Sequence, residues 1–513
     1  MSKTVVIGLD GSNWPLINRI SDERDLPNIS KLKKNSIHGV SRSILPPVTC
    51  PNWKCYSSGK NPGKLGVYWW ERIDTENQSM YLPDSTDFES PEIWDYLNEE
   101  NQSAGVINLP MTYPPREINR FMIAGGPRSR EKNYTKPDNL QADIESRFNY
   151  RVHPENVLTS SEDAGEEVEM VHDLLRTRLR TAHTLLEEED VDFLHVTLFH
   201  LNVLQHYFYD GEPTKHAYEV IDEELEPFIE GDYNLVLMSD HGCMEIDTVF
   251  YINSWLEERG YLSTKSSLSS RLHDVGLTQE RVASVVRKLN LEQYIRPLIP
   301  RSIIERFPTD EGVVREEKLS MVDWENTKAI GSGQGLVYVN ADSEKEREQI
   351  LSDLEADLKA TTGLNDDSIA RTIHRRENLY NGPHVHKAPD LIFDQRPGVH
   401  TSEAMGTEEV MSEPTDWRGE NVPEGMVLFY GDDVEAGNLD EIRITDIAPT
   451  ILHWMGHEIP TDMDGEPVLE VFRSGSDPAE RAVETRPPLG DATQQDELGE
   501  DVEDRLADIG YLE

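Results

Sequence analysis

The chain has 513 residues, with 97 acidic against 49 basic side chains and a formal net charge of -48. That balance excludes a nucleic-acid binder, which needs a basic face for the phosphates, and the length allows one large domain with insertions or two to three ordinary ones. Acids spread along the whole sequence fit a protein adapted to high internal salt, where an acidic surface stays solvated.

The N-terminus runs straight into TVVIGLD (4–10), without the basic region and long apolar segment of a signal peptide. No run approaches the roughly 18 apolar residues of a membrane span. Three cysteines (Cys50, Cys55, Cys243) are too few, and odd in number, for a disulfide framework. A cytoplasmic protein with no membrane span is the expectation.

Further short β-branched runs follow: SAGVINLP (103–110), VDFLHVTLF (191–199), NLVLMSD (234–240), GLVYVN (335–340) and GMVLFYG (425–431). Runs apolar at nearly every position fit parallel strands buried on both faces. Helical stretches lie between them, among them 162–190 and 446–456. The alternation predicts an α/β fold whose function sits at the carboxyl ends of the strands. Asp10, Asn202 and Asp240 all fall at such ends.

Residues 261–325 show helical periodicity and no strand run, so they read as a helical cap inserted in a core formed by 1–260 and 326–473. The Pro-, Gly- and acid-rich stretch 474–499 reads as a disordered linker. Residues 500–513 read as a short amphipathic helix able to dock back on the body.

Three stretches carry chemistry. VVIGLDGS ends a strand in Asp10, which alone reads equally as a turn residue. SDHG (239–242) puts Asp240 and His241 side by side at another strand end, where carboxylate and imidazole can face one ion. In PPVTCPNW (46–53), Pro51 pushes Cys50 out of the α region, so a helix should begin at or just after it. Thr49 then lies near a helix N-terminus, whose amides favour an anion. Asn52 and Lys54 are close enough in sequence to help bind one.

These pieces resemble the alkaline phosphatase superfamily, in particular its type I phosphodiesterase/nucleotide pyrophosphatase branch. VVIGLDGS, PPVTCPNW, SSGKNPGKLGVYWW (57–70), INLPMTYPP (107–115), NVLQH (202–206) and SDHG occur in order, followed by FYINSWLEERGYL (250–262), GSGQGLVYVN (331–340), KAPDLIF (387–393) and DIAPTILHWMGHEIPTDMDGEPV (446–468). The resemblance implies a three-layer αβα sandwich around a mainly parallel sheet, holding two divalent metals, usually zinc. It implies one metal site at Asp10, Thr49, Asp240 and His241, with Thr49 as nucleophile forming a phospho-threonine.

The second site, by the same resemblance, uses Asp-x-x-x-His and a later His. NVLQH and GENVPEG (419–425) supply Asn202, His206 and Asn421 there, so two of its ligands are replaced by asparagine. Zinc prefers His, Cys and carboxylate, so one tightly held ion is expected. The asparagines then either hydrogen-bond substrate oxygens or join a weak Mg²⁺, Mn²⁺ or Ca²⁺. Nothing in the spacing of GPHVHK (382–387) or His400 places a substitute ligand.

The implied activity is hydrolysis or transfer at a small-molecule or glycan-linked phosphoester. Sulfatases of the same superfamily use a modified Cys in C-x-P-x-R. Here the stretch is Thr49-Cys50-Pro51-Asn52-Trp53, and Thr cannot become formylglycine. A non-catalytic or single-metal protein binding a phosphorylated or sulfated ligand is the alternative.

Overall fold

The computed structural model describes residues 2–490, apart from 89, 128, 156–157, 159–160, 162–163, 266–315 and 408. Its centre is a nine-stranded sheet. The middle of this sheet is parallel, in the spatial order Tyr233–Met238, Lys3–Gly8, Phe193–Thr197, Ala104–Pro110 and Arg120–Gly125.

Alternation along the first strand explains the layers. Val5 and Ile7 face a core shared with the helices Trp14–Glu23, Gly165–Glu188 and Glu212–Glu230. Val6 faces the opposite core, shared with Thr49–Ser58, Ile93–Glu99 and Ile447–Trp454. Each buried aliphatic side chain contributes about 1.5–3 kcal/mol, so only a strand apolar on both faces can hold this position. The fold is α/β around a large, mostly parallel sheet, as expected.

Two of the expected strands behave differently. Val427–Tyr430, from GMVLFYG, joins the sheet antiparallel to Tyr233–Met238. Leu336–Val339, from GLVYVN, belongs to a separate four-stranded sheet with Ala329–Ser332, Leu391–Gln395 and Ala370–Arg375. Short β-hydrophobic runs look alike in parallel and antiparallel sheets. This smaller sheet packs on the helices Ile252–Glu258 and Glu344–Ala360 around its own core, which includes Phe250, Trp255 and Leu354.

The expected cap lies mostly outside the described residues. Its described ends meet where Lys265 N donates to Met321 O at 2.6 Å. The described part of the expected linker, 474–490, is ordered, and 491–499 lie outside the described residues: Asp477–Glu480 forms a short helix and Thr485–Arg486 pairs in parallel with Ile459–Pro460. Specific contacts outweigh its polar composition, since Arg481 donates to His453 O at 2.7 Å and His453 Nε2 to Pro478 O at 2.8 Å. The terminal helix expected at 500–513 lies outside the described residues. No described helix is long and apolar enough to cross a membrane.

Candidate metal centre

Parallel pairing places the first carboxylates. Gly8 lies opposite Met238, and Leu9 N donates to Met238 O at 2.8 Å. Asp10 and Asp240 each follow two residues later, so they leave neighbouring strands side by side. Gly11 turns the chain at φ +72, and its amide donates to Asp240 Oδ1 at 3.4 Å. Thr49 opens the helix Thr49–Ser58, preceded by extended Val48. Pro51 sits in the first turn, where a missing N–H costs no helical bond.

Asp10, Asp240 and His241 are fully buried and hold ligand atoms within 4.8 Å of one another. Thr49 Oγ1 lies 3.4 Å from Asp10 Oδ1 and 3.2 Å from His241 Nε2. His241 Nδ1 must donate to Gly242 O at 3.1 Å, because a carbonyl only accepts, so Nε2 carries a lone pair. That nitrogen faces Asp240 Oδ2 at 3.2 Å, and Oδ2 has no hydrogen-bond donor. Two lone pairs facing each other in a buried space call for a proton or a metal cation between them.

The electrostatics agree. Burial raises Asp10 to about 8 against the lowering effect of hydrogen bonds from Trp53 and Thr49. Burial and the neighbouring Asp10 raise Asp240 well above the usual carboxylate range. Burial lowers His241 to about 3, keeping it neutral. Two carboxylates and a neutral imidazole are a fitting donor set for a divalent ion.

The other half of the site is built differently. Asn202 and His206 lie on the helix His200–Phe208, one turn apart, rather than at the end of a strand. Asn202 packs over Gly11, where a Cβ would come within 2.2 Å of its Nδ2. Its amide donates to Gln205 Oε1 at 3.2 Å, and Gln205 Nε2 donates to Tyr218 OH at 3.2 Å. His206 stacks on Trp417 with centroids 4.1 Å apart and donates from Nδ1 to Gly419 O at 2.8 Å. Asn421 stands opposite Cys243 in the antiparallel pair of Gly242–Glu245 with Gly419–Val422. Its Oδ1 is buried without a hydrogen-bond partner.

Residues 4–419 match the sequence profile of the Type I phosphodiesterase / nucleotide pyrophosphatase family. The chain belongs to that family. Its fold is similar to phosphonoacetate hydrolase from Sinorhizobium meliloti 1021, at 14% identity and a TM-score of 0.56, covering 87% of this chain and 94% of that one. It is also similar to the alkaline phosphatase PafA, at 13% identity and a TM-score of 0.52, covering 92% of this chain and 98% of that one. No curated relative matches the sequence. The family to which this chain belongs is one of phosphoester-cleaving hydrolases.

In this family member Asp10, Thr49, Asp240 and His241 come together as the motifs suggested. Asn52 and Lys54 do not join them. Asn52 is fully buried and staples the loop before its helix: Oδ1 accepts from Ile44 N at 2.9 Å, and Nδ2 donates to Pro46 O at 2.9 Å and Val48 O at 3.0 Å. Lys54 is buried in an ion pair with Glu92 at 2.8 Å, and Arg116 completes that network. A helix turns its residues through 100° each, so nearness in sequence to Thr49 does not bring both to its side.

Sequence reading missed Trp53 and Glu420. Trp53 is one helical turn beyond Thr49, and that i, i+4 spacing was the available signal. Glu420, beside Asn421, showed none.

Proposed function

We propose that the chain hydrolyses a phosphodiester or phosphomonoester through a covalent intermediate on Thr49. One tightly held divalent ion, zinc by its donor set, would sit at Asp10, Thr49, Asp240 and His241. The observation that carries this reading is the placement of Thr49 Oγ1, at the start of a helix and within 3.4 Å of Asp10 and 3.2 Å of His241. A bound divalent ion supplies charge that lowers the hydroxyl pKa and neutralises phosphoryl oxygens.

The protein's own residues do the rest. Asp10 Oδ1 accepts the hydrogen bond from Thr49 and so aims a lone pair of Oγ1 away from itself. The amide dipoles at the helix start favour the anionic phosphoryl group. As the Oγ1–P bond forms, Oγ1 releases its proton to solvent and the bond from phosphorus to the leaving oxygen breaks. Water then hydrolyses the Thr49 ester and restores the hydroxyl.

The second half-site, with Asn202, His206 and Asn421, is weakened for zinc, since amide oxygens are poorer zinc ligands than carboxylate or imidazole. The partnerless Oδ1 of Asn421 supports an acceptor role there. That favours weak Mg²⁺, Mn²⁺ or Ca²⁺, or a donor group of the substrate, over amides that only donate to phosphate. The loss of two strong ligands also supports a second reading, a protein that binds a phosphorylated or sulfated ligand without turnover. Turnover of bis(4-nitrophenyl) phosphate with and without Zn²⁺ or Mn²⁺ separates the two. Metal-dependent release of nitrophenol that disappears in Thr49→Ala supports the hydrolase, and no release under any metal supports the binding protein.

A further inference from the structure

The smaller sheet contacts the strand Gly419–Val422 through the side chain of Gln334. Gln334 is buried in the turn between Ala329–Ser332 and Leu336–Val339, at φ 56 and ψ 31. A non-glycine residue keeps this left-handed conformation when its surroundings enforce it, often at functional sites. Its Nε2 donates to Glu420 Oε1, and its Oε1 accepts from Gln395 Nε2 at 3.1 Å. Gln395 is fixed in turn by Thr401 Oγ1 at 2.8 Å.

Glu420 is itself held from several sides. His400 Nδ1 contacts Oε2, and the backbone N–H of Asn421 donates to Oε1 at 2.8 Å. Its neighbours are Gly419, which accepts from His206, and Asn421. A buried carboxylate is a poor way to gain stability, since well-packed apolar residues commonly do as well or better. Its hydrogen bonds do fix geometry.

We infer that Gln334 and Glu420 are positioning residues: together they clamp the strand Gly419–Val422 from the smaller sheet and so set the placement of Asn421 and of the acceptor of His206. The inference rests on the proposed function only in giving that half-site a role with substrate or a weak cation.

Gln334→Asn tests it. Asparagine tolerates a left-handed backbone, but its amide is one methylene shorter and cannot span to Glu420. The melting temperature should stay near wild type, while KM for bis(4-nitrophenyl) phosphate rises about 10-fold or more, as when an outer-shell partner is lost. The change in kcat should be smaller than that in KM. Gln334→Gly should give the same split. In a crystal structure of either variant, Asn421 should be displaced by about 1 Å, a shift large enough to matter at an active site. A wild-type KM with Asn421 unmoved overturns the clamp. If the wild type itself turns over no phosphoester, the proposed function fails, and the position of Asn421 in the variants still decides the clamp.

Discussion

Trp53 donates its indole N–H to Asp10 Oδ2 at 2.9 Å, while its ring occupies the space beside Gly8, where a Cβ would meet it at 2.4 Å. One side chain thus fixes the orientation of a candidate ligand and requires a glycine in the strand before it. Trp53→Phe keeps the ring and removes the donor. A hydrogen bond to a charged group is worth about 1.5–3 kcal/mol, which is about 10–100-fold in affinity. Isothermal titration of the metal-free variant with Zn²⁺ should show a loss of that size with an unchanged circular dichroism spectrum. Wild-type affinity would mean that Asp10 does not depend on Trp53.

Removing the metal should make stability pH-dependent. Asp10 is raised to about 8 in the fold, so the folded chain holds a proton that the unfolded chain has released, and stability falls as pH rises toward 8. Asp240 shifts the same way. His241 acts oppositely, since burial lowers it to about 3 and the unfolded chain gains its proton below about 6.5. The carboxylates therefore dominate between about pH 6.5 and 8, at up to about 1.4 kcal/mol per pH unit for each group. Melting temperatures of chelator-treated protein should drop across that window, and the gap to metal-loaded protein should widen. A constant gap would contradict the paired carboxylates.

A net charge of -48 should destabilise the fold in dilute buffer through self-repulsion. Raising KCl from roughly 0.05 to 3 M shortens the Debye length from about 14 to about 2 Å. The melting temperature should rise over that range. A flat profile would remove the adaptation to high salt.

Much of the centre was legible because parallel strands leave their end residues in a fixed place. Asp10 and Asp240 could be paired from the two runs VVIGLD and NLVLMSD, and Thr49 from a proline-marked helix start. Asn202 was misplaced onto a strand because buried Leu198, in the connection after Phe193–Thr197, and buried Leu201, in the following helix, continue the apolar run. The buried partners of Asn52 and Lys54 were invisible for another reason. Glu92 reaches Lys54 from a separate helix start, a long-range contact that no local pattern encodes. Gln334 and Glu420 lie still further apart in the chain, one in a turn of the smaller sheet and the other in the strand Gly419–Val422.

The two asparagines should leave one tight metal per chain after dialysis. Asn202→Asp plus Asn421→His restores carboxylate and imidazole beside His206, whose Nδ1 is already held by Gly419 O. A carbonyl that holds Nδ1 in this way fixes the ring and leaves Nε2 ready to ligate. Zinc content should rise from about one toward two equivalents. A double variant still holding one would show that these asparagines do not occupy ligand positions.

The most direct test of the central claim is mass spectrometry of the metal-loaded protein, acid-quenched during turnover of bis(4-nitrophenyl) phosphate. Thr49 should carry the phosphoryl group with its remaining nitrophenyl ester, and the adduct should be absent from Thr49→Ala. Steady nitrophenol release with Thr49 unmodified, or release undiminished in Thr49→Ala, would contradict a covalent reaction at this residue.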